Sequence, residues 1–291
     1  MSTGELSLER HEIHDLEARY PGVFTTTFRE KCITAGVWAL FLGLTLFCLY
    51  HLGFFNLTAI MHGLSKLGSV VSFMIPPAHN GWLGVFLYAI LETLAMAFLG
   101  TLAASLAAVP LGFLGAANVV PNRFVHFWLR RVFDVIRGID ALIWALIFIN
   151  VVGLGPFAGI LAIAVSDSGS LAKLFSEAVE NADAKQIDGV KAAGAGPLAV
   201  MRLGILPQVL PVFISNSLYY FESNTRSATI LGIVGAGGIG LHLSDRIRVN
   251  NWDEASFIIL LILITVFLID TLSREIRMRI IKSPVQKGYL R

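Results

Sequence analysis

Charged and polar side chains that could handle an anion lie within a long apolar run. Glu222 and Arg226 are four residues apart, so they share one face of a helix. If this run crosses a membrane, such residues are costly and usually face a cavity or a partner. Two interpretations stay open: a translocation path that offers donors to an oxyanion, or an ion pair that joins two helices. The path candidates are Glu222, Asn224, Thr225, Arg226, Ser227, Gly235, Gly237 and Gly238.

The last of these candidates belong to a glycine motif that is typical of dinucleotide-binding proteins. Gly235, Gly237 and Gly240 form G-x-G-x-x-G, and Asp253 and Glu254 follow at about the distance of a ribose-binding acid. The fingerprint requires a parallel sheet, however, and here the acids open a long apolar run. An open sheet edge in lipid leaves backbone groups unpaired. The motif therefore predicts a turn or gate, and a nucleotide-binding membrane enzyme is a weak alternative.

Other intramembrane charges have two interpretations each. Glu92 interrupts an apolar run and predicts either a partner arginine or a position in the path, with pairing favoured. Asp134, Arg137 and Asp140 predict an ion-pair cluster at the membrane face or a gate. Catalytic motifs for a P-loop, a nucleophile elbow or a zinc protease are absent from the sequence. We therefore expect no enzyme, no catalytic residue, no metal site and no cofactor bound by this chain.

The composition indicates lipid as the solvent of the fold. Hydrophobic residues make up 55% and charged residues 14% of 291 residues, whereas soluble domains are about 25% charged. The sequence predicts an all-α, multi-pass plasma-membrane protein, and the glycine-rich run 229–243 predicts a re-entrant or hairpin-like piece. Lys and Arg concentrate in alternate connections, which predicts that both termini are cytoplasmic. The six predicted spans are residues 33–54, 82–109, 132–153, 155–172, 207–226 and 255–272.

The remaining segments complete the predicted organisation. Residues 1–31 form a cytoplasmic tail with a short polar helix, and residues 32–81 hold the first span. An interfacial helix over 57–75 on the outer side ends at Pro76. Residues 82–273 form the main transmembrane domain, with a cytoplasmic loop at 173–207, and 274–291 form a basic cytoplasmic tail. Gly100, Ala104 and Ala108 form a small-residue ridge that predicts close helix packing.

The cytoplasmic loop contains two helical patterns separated by glycines. Apolar residues at helical spacing precede Gly194, which breaks the first helix together with Gly196, and Pro197 suits the first turn of the second. Such an elbow is suited to docking a partner and passing its movement into the fifth span. An ordinary connecting loop is the alternative, and the pattern alone does not separate the two.

This loop resembles the EAA motif of ABC-importer permeases, E-A-A-x-x-x-G-x9-I-x-L-P. Gly204 departs from that pattern where a branched aliphatic is usual, and Asp replaces Glu. The variant is similar to the phosphonate branch, as are "GLGPFAGILA" (153–162), "LFSEAVE" (174–180) and "FESNTRSATILGIVGAGGIG" (221–240). The resemblance covers about residues 82–280. The positions that fall on the motif are Asp188, Gly189, Val190, Gly194, Leu206 and Pro207.

The resemblance implies a MetI-like transmembrane domain and the permease subunit of a phosphonate importer. It implies two copies of the chain, two separate ATPase subunits that use ATP and Mg, and a periplasmic or lipid-anchored binding protein. The motif residues are then expected to couple to the ATPase, with alternating access as the mechanism. Phosphite, phosphate or another small anion is the alternative cargo. A passive channel is a further alternative, but it has no use for an ATPase dock.

Overall fold

The computed structural model describes residues 28–281, all of whose regular elements are helical. The chain divides into two units, Met1–Ser69 and Val70–Arg291. In the first unit, α1 (Phe28–His51) has no buried side chain, as expected for a helix surrounded by lipid. Next, α2 (Leu57–Phe73) confirms the helix predicted over 57–75, and its interfacial location stays a prediction. The polar helix predicted within residues 1–31 falls outside the described residues.

The second unit contains the elements that build the site. In chain order they are α3 (Leu83–Gly115), α4 (Arg123–Gly138), α5 (Ala141–Val152), α6 (Pro156–Glu180), α7 (Ala184–Ala192), α8 (Pro197–Ala199), a π-helical segment (Val200–Ile205), α9 (Leu206–Leu231), a π-helical turn (Gly232–Ala236), α10 (Gly238–Arg248) and α11 (Trp252–Ile281). Within residues 28–281 there is no β-strand. The parallel sheet that a dinucleotide fingerprint needs is therefore missing from this part of the chain.

Five helical stretches of the described chain are long and apolar enough to cross a membrane, and a bent helix pair brings the number to six if it counts as one span. The fold is thus the predicted all-α polytopic membrane protein. The five are Phe28–His51, Leu83–Gly115, Pro156–Glu180, Pro197–Ala236 and Trp252–Ile280, and the bent pair is α4 with α5.

The third span differs from its prediction as one helix over 132–153. It breaks into α4 and α5, which meet at an angle of 81°. The Asp140 carboxylate caps α5 by accepting the Leu142 N–H at 2.8 Å, so a new helix begins there. Helix α6 begins with Pro156 in its first turn and continues to Glu180, beyond the predicted 155–172. Residues 173–180, predicted to be loop, are therefore helical.

The core of the second unit is the close packing of α3 on α6. A Cβ at Gly100 would lie 2.7 Å from Ile163 Cβ, and one at Gly112 would lie 2.6 Å from Phe175 Cβ. Ala104 and Ala108 are fully buried between them. These contacts confirm the small-residue ridge, because only small side chains let the two backbones approach so closely.

Helices α9 and α10 both run along α3, and both are antiparallel to it. Contacts along α9 join Ser217 to Ser105 and Asn224 to Thr101, and α10 continues with Ile239 at Thr93. Farther along, Arg246 stacks over the Trp82 ring. The glycine-rich stretch consequently separates two helices, α9 and α10, that run along α3 in the same direction as each other. The turn predicted there is present, and the chain folds back locally within it, so that Gly240 lies against Thr229 and Gly232 before α10 continues.

Candidate functional site

The elbow predicted around Gly194 is present. The Asp183 side chain caps α7 by accepting the Lys185 N–H at 2.9 Å. At the far end, Gly194 has a φ of +81°, a conformation that L side chains rarely adopt. Pro197 then occupies the first turn of α8. The structure thus confirms a helix–Gly–helix elbow, and the glycine is required by backbone conformation rather than by lack of space.

The apolar face of α7 is turned toward the rest of the chain. Ile187 packs against the hydrophobic cluster formed by α3, α6 and α9. A Cβ at Gly204 would lie 3.5 Å from Ile187 Cα and close to Val190, so α7 rests directly on the π-helical segment.

The opposite face of α7 is open. Asp188 has 71% of its side chain exposed and forms a 3.6 Å ion pair with Lys191, and Gly189 is exposed beside it. An open cavity of about 460 Å³ extends beside this face, with Asn118, Glu180 and Met201 in its wall. Of the six residues predicted for coupling, Asp188 and Gly189 lie on the open face, Val190 faces inward, Gly194 forms the turn, and Leu206 and Pro207 begin α9.

Gln208 joins the elbow to α9 and was not identified from the sequence. Its Oε1 accepts the Asp183 N–H at 2.9 Å, while its Nε2 donates to the Gly204 carbonyl at 2.6 Å. One side chain therefore holds the start of α7 to the first turn of α9. A lone glutamine after Pro207 carries no periodic signal that would have pointed to this link.

Glu222 and Arg226 do not pair with each other, but each forms an ion pair that joins α9 to a second helix, as one of the two interpretations expects. Arg277 Nη2 donates to Glu222 Oε2 at 3.0 Å, and Arg226 Nη1 contacts both carboxylate oxygens of Asp270 at 3.3 Å. Helix spacing placed the two α9 charges on one side, but α11 supplies a nearer partner to each. Asp270 was not identified, although it is an acid inside the most apolar span, which was an available signal.

Asn224 belongs to a different face of α9 from these charges. It is buried, and its Nδ2 donates to Thr101 Oγ1 at 2.9 Å and to a carboxylate oxygen of Asp167. Thr225 is also buried, with its hydroxyl donating to the Phe221 carbonyl, and Ser227 is half-buried. Asn224 therefore joins α9 to α3 and α6. Asp167 was missed in the sequence, although it is an acid in the predicted fourth span.

The glycine motif forms a compressed break between α9 and α10. Gly235 has a φ of +110° and Gly237 a φ of +82°, and the Gly235 carbonyl accepts the Gly155 N–H at 3.1 Å. A Cβ at Gly240 would collide with the Thr229 carbonyl, and one at Gly232 would lie 2.5 Å from the Gly237 oxygen. The glycines are thus required by positive φ and by backbone contact.

The Glu92 carboxylate contacts the backbone at this break and does not pair with an arginine. The favoured prediction of a partner arginine is therefore wrong. Its Oε2 accepts the Gly238 N–H at 3.1 Å, and the neighbouring Thr93 Oγ1 accepts the Ile239 N–H at 2.9 Å. The first N–H groups of α10 are thereby satisfied by side chains of α3. A carboxylate at a helix N-terminus is favourable because unpaired N–H groups and the helix dipole attract negative charge.

The cluster predicted at Asp134, Arg137 and Asp140 forms only in part. Asp134 pairs with Lys173 at 2.7 Å and with Arg131 at 3.4 Å, so it ties α4 to α6. Asp140 is the cap of α5 instead, and no ion pair of Arg137 is seen within residues 28–281. In the same range, no group of three His, Cys, Asp or Glu side chains is arranged to hold a metal ion.

Comparison with known proteins identifies the family. The model for binding-protein-dependent transport system inner membrane components matches residues 108–280. The chain is 33% identical over 239 residues to the phosphite transport system permease protein PtxC of Stutzerimonas stutzeri, covering 82% of this chain and 86% of that protein. It is 39% identical over 209 residues to the phosphate-import permease protein PhnE of Mycolicibacterium smegmatis, covering 72% of this chain and 39% of that protein.

The fold has a relative among solved structures. The MetNI methionine ABC transporter in an inward-facing conformation contains a chain that superimposes with a TM-score of 0.63 at 21% identity, covering 70% of this chain and 99% of that chain. This likeness establishes the MetI-like fold. Together with the apolar helices and the elbow, these relationships show that the chain belongs to the binding-protein-dependent transport system inner membrane components, as a multi-pass inner-membrane permease subunit of an ABC importer.

Proposed function

We propose that this permease subunit translocates phosphonate-type oxyanions by alternating access and that a separate subunit hydrolyses the ATP. The single observation that carries the proposal is the elbow whose exposed helix, α7, is joined by Gln208 to the start of α9. A partner that moves α7 is expected to move α9 with it, because the connection is short and Gln208 of α9 accepts the Asp183 N–H at the start of α7. Such rigid-body movement is a common basis of alternating access.

The cargo class rests on the phosphonate-like motifs and on the printed names of the relatives. Those names concern phosphite and phosphate, which share a tetrahedral oxyanion with phosphonates. Phosphite or phosphate is therefore the alternative cargo. Growth on methylphosphonate as sole phosphorus source, compared between strains with and without the gene, tests the proposal. If the strain without the gene lost growth on phosphite but not on methylphosphonate, the alternative cargo would be favoured. If the two strains grew equally on both phosphorus sources, the whole class of phosphorus oxyanions would be contradicted.

The ATPase dock is proposed at the open face of α7. Asp188 and Gly189 offer the exposed surface, and Gly194 sets its angle to α8. Gly194→Asp is expected to release the ATPase subunit on co-purification, because the side chain disfavours a φ of +81°. Gly196→Asp is the matched control, since Gly196 has an ordinary φ of −70° and nothing within 4 Å of its Cβ position. Equal release by both variants, or by neither, would contradict this role for Gly194.

Further parts of the assembly follow from the same proposal. Two copies of the chain enclose the path, two ATPase subunits use ATP and Mg, and a periplasmic or lipid-anchored binding protein delivers the cargo. The mass of the purified complex measures the number of copies. A complex with one copy of this chain and a different second permease would contradict the homodimer.

The proposed path passes the open side of α9. Arg226 and the adjacent Ser227 border it, because half of the Arg226 side chain is exposed there, whereas Glu222 is enclosed by its pair with Arg277 and has a supporting role. The other members of the predicted set have a supporting role, since they are held by contacts within the chain. They are Asn224, Thr225, Gly235, Gly237 and Gly238.

A further inference from the structure

Two ion pairs join α9 to α11, and they differ in exposure. The side chains of Glu222 and Arg277 are 16% and 25% exposed, with a 3.0 Å contact. The side chains of Arg226 and Asp270 are 48% and 38% exposed, with a longer contact of 3.3 Å. The first pair is largely enclosed by the protein. The second is open on one side, although both pairs connect the same two helices.

The open pair lies where lipid would be a poor neighbour. Asp270 follows the apolar run Phe257–Ile269 of α11, and Arg226 lies within a stretch long and apolar enough to span a membrane. A half-exposed charge pair in hydrocarbon is costly, so intramembrane charges generally face a protein interior or a water-filled cavity. We therefore expect the side of α9 and α11 that carries Arg226 and Asp270 to face a protein interior or a water-filled cavity of the assembled transporter instead of hydrocarbon.

The geometry of the open pair leaves the arginine available to another anion. A single nitrogen, Nη1, contacts both Asp270 oxygens, and no other contact of the guanidinium is seen within residues 28–281. In a bidentate pair, two different guanidinium nitrogens donate to the two carboxylate oxygens. Here Nη2 and Nε of Arg226 do not take part in the contact with Asp270. The remaining donors of Arg226 match the fork that recognises tetrahedral oxyanions.

We propose that Asp270 is an internal counter-anion of Arg226 that the passing oxyanion displaces. The inference rests on the proposed function and deepens it by naming how the cargo is held. In the empty path, Asp270 neutralises the arginine and reduces the cost of its charge. When a phosphorus oxyanion arrives, it competes for the guanidinium, so the net affinity is the difference between two anion contacts. Weak binding follows, and a conduit that must release its cargo requires it.

The test uses the complete transporter with its ATPase and binding protein, and methylphosphonate or phosphite as the probe. Removing the competitor by Asp270→Asn should tighten binding of the probe to the purified complex about fivefold, the scale of one exposed ion pair. Uptake should slow in the same variant because release is delayed. Arg226→Ala should abolish both the binding and the uptake. A ligand-induced shift in melting temperature measures binding, and accumulation of the probe in cells measures uptake.

The charge swap Arg226→Asp with Asp270→Arg separates this role from a merely structural one. A structural pair would be restored in the swap, and normal uptake by it would overturn the proposal. We expect the swap to accumulate in the membrane at the wild-type level and to transport nothing, because the guanidinium then projects from α11. The enclosed pair provides the control: Glu222→Gln should lower stability without tightening binding of the probe. Unchanged or weakened probe binding by Asp270→Asn would also overturn the proposal.

The same experiment distinguishes this inference from the proposed function. A wild-type complex that moves neither methylphosphonate nor phosphite contradicts both. A wild-type complex that moves either anion, combined with an active charge swap, contradicts only the role of Asp270.

Discussion

Glu92 Oε2 accepts the backbone N–H of Gly238 at 3.1 Å, so a carboxylate of α3 closes the N-terminus of α10. The contact lies at the glycine break, where the chain leaves the helical conformation and resumes it. A Cβ at Gly237 would lie 3.2 Å from the other carboxylate oxygen, so the break and the acid are closely fitted. This relationship makes the break a defined structure instead of a loose hinge.

Replacing Glu92 tests whether the carboxylate is needed as an acceptor. Glu92→Ala leaves the Gly238 N–H without its partner, which we expect to lower the free energy of unfolding by about 1–3 kcal/mol. Glu92→Gln keeps an acceptor oxygen and should lose much less. The melting temperature of the purified protein measures both. Equal losses for the two variants would indicate that the charge, and not the hydrogen bond, is what α10 requires.

The glycine break also makes a steric prediction. Gly240→Ala is expected to destabilise the protein by about 2 kcal/mol or more, because its Cβ would collide with the Thr229 backbone. Gly138→Ala is the control, since nothing lies within 4 Å of that Cβ position and alanine favours helix. Thermal unfolding of the two variants gives the comparison. A tolerated Gly240→Ala would mean that α9 and α10 separate easily at this point.

Local features of the fold were predictable from the sequence because their causes lie within a few residues. Gly194 breaks a helix, and Pro197 begins the next. Gly100 and Ala104 indicate close helix packing because their side chains are small. The break in the third span also had a local signal in Gly138 and the cap Asp140, but the continuous apolar run concealed it.

The partners of the charged residues were not predictable in the same way. Glu222 and Arg226 satisfy the helix spacing rule for a pair, yet each binds a residue of α11 more than forty positions away. Glu92 was expected to find an arginine and found a backbone N–H instead. A single sequence indicates which side chains need partners. The arrangement of the helices in the fold determines which partner is within reach.

The buried contact between Asn224 and Asp167 predicts a sharp asymmetry between two amide–acid exchanges. Asn224→Asp would place two carboxylates side by side among apolar helices, and we expect a loss of roughly 3 kcal/mol or more. Asp167→Asn keeps an acceptor for the Asn224 amide and should be tolerated. The amount of folded protein in the membrane and its melting temperature measure both.

The matched control for this pair is Asn150→Asp. Asn150 is exposed on α5 and donates only to the Leu146 carbonyl within its own helix. It should change the melting temperature little. A similar loss at both positions would mean that any new carboxylate disturbs the protein, and the Asn224 contact would then carry no special weight.

Replacing Gln208 is expected to uncouple transport from ATP hydrolysis. Gln208 lies in the first turn of α9, where its side chain accepts the Asp183 N–H at the start of α7 and donates to the Gly204 carbonyl of the π-helical segment. Movement of α7 therefore reaches α9 through the bond to Asp183. Gln208→Leu removes both hydrogen bonds, and Gln208→Glu retains only the acceptor for the Asp183 N–H. We expect uptake per ATP hydrolysed to fall about fivefold in Gln208→Leu, the scale of one net hydrogen bond, and less in Gln208→Glu. ATP hydrolysis and uptake are measured on the same reconstituted complex. If both rates fell in equal proportion, Gln208 would merely support assembly; a fall in uptake alone would identify it as the mechanical link between the elbow and α9.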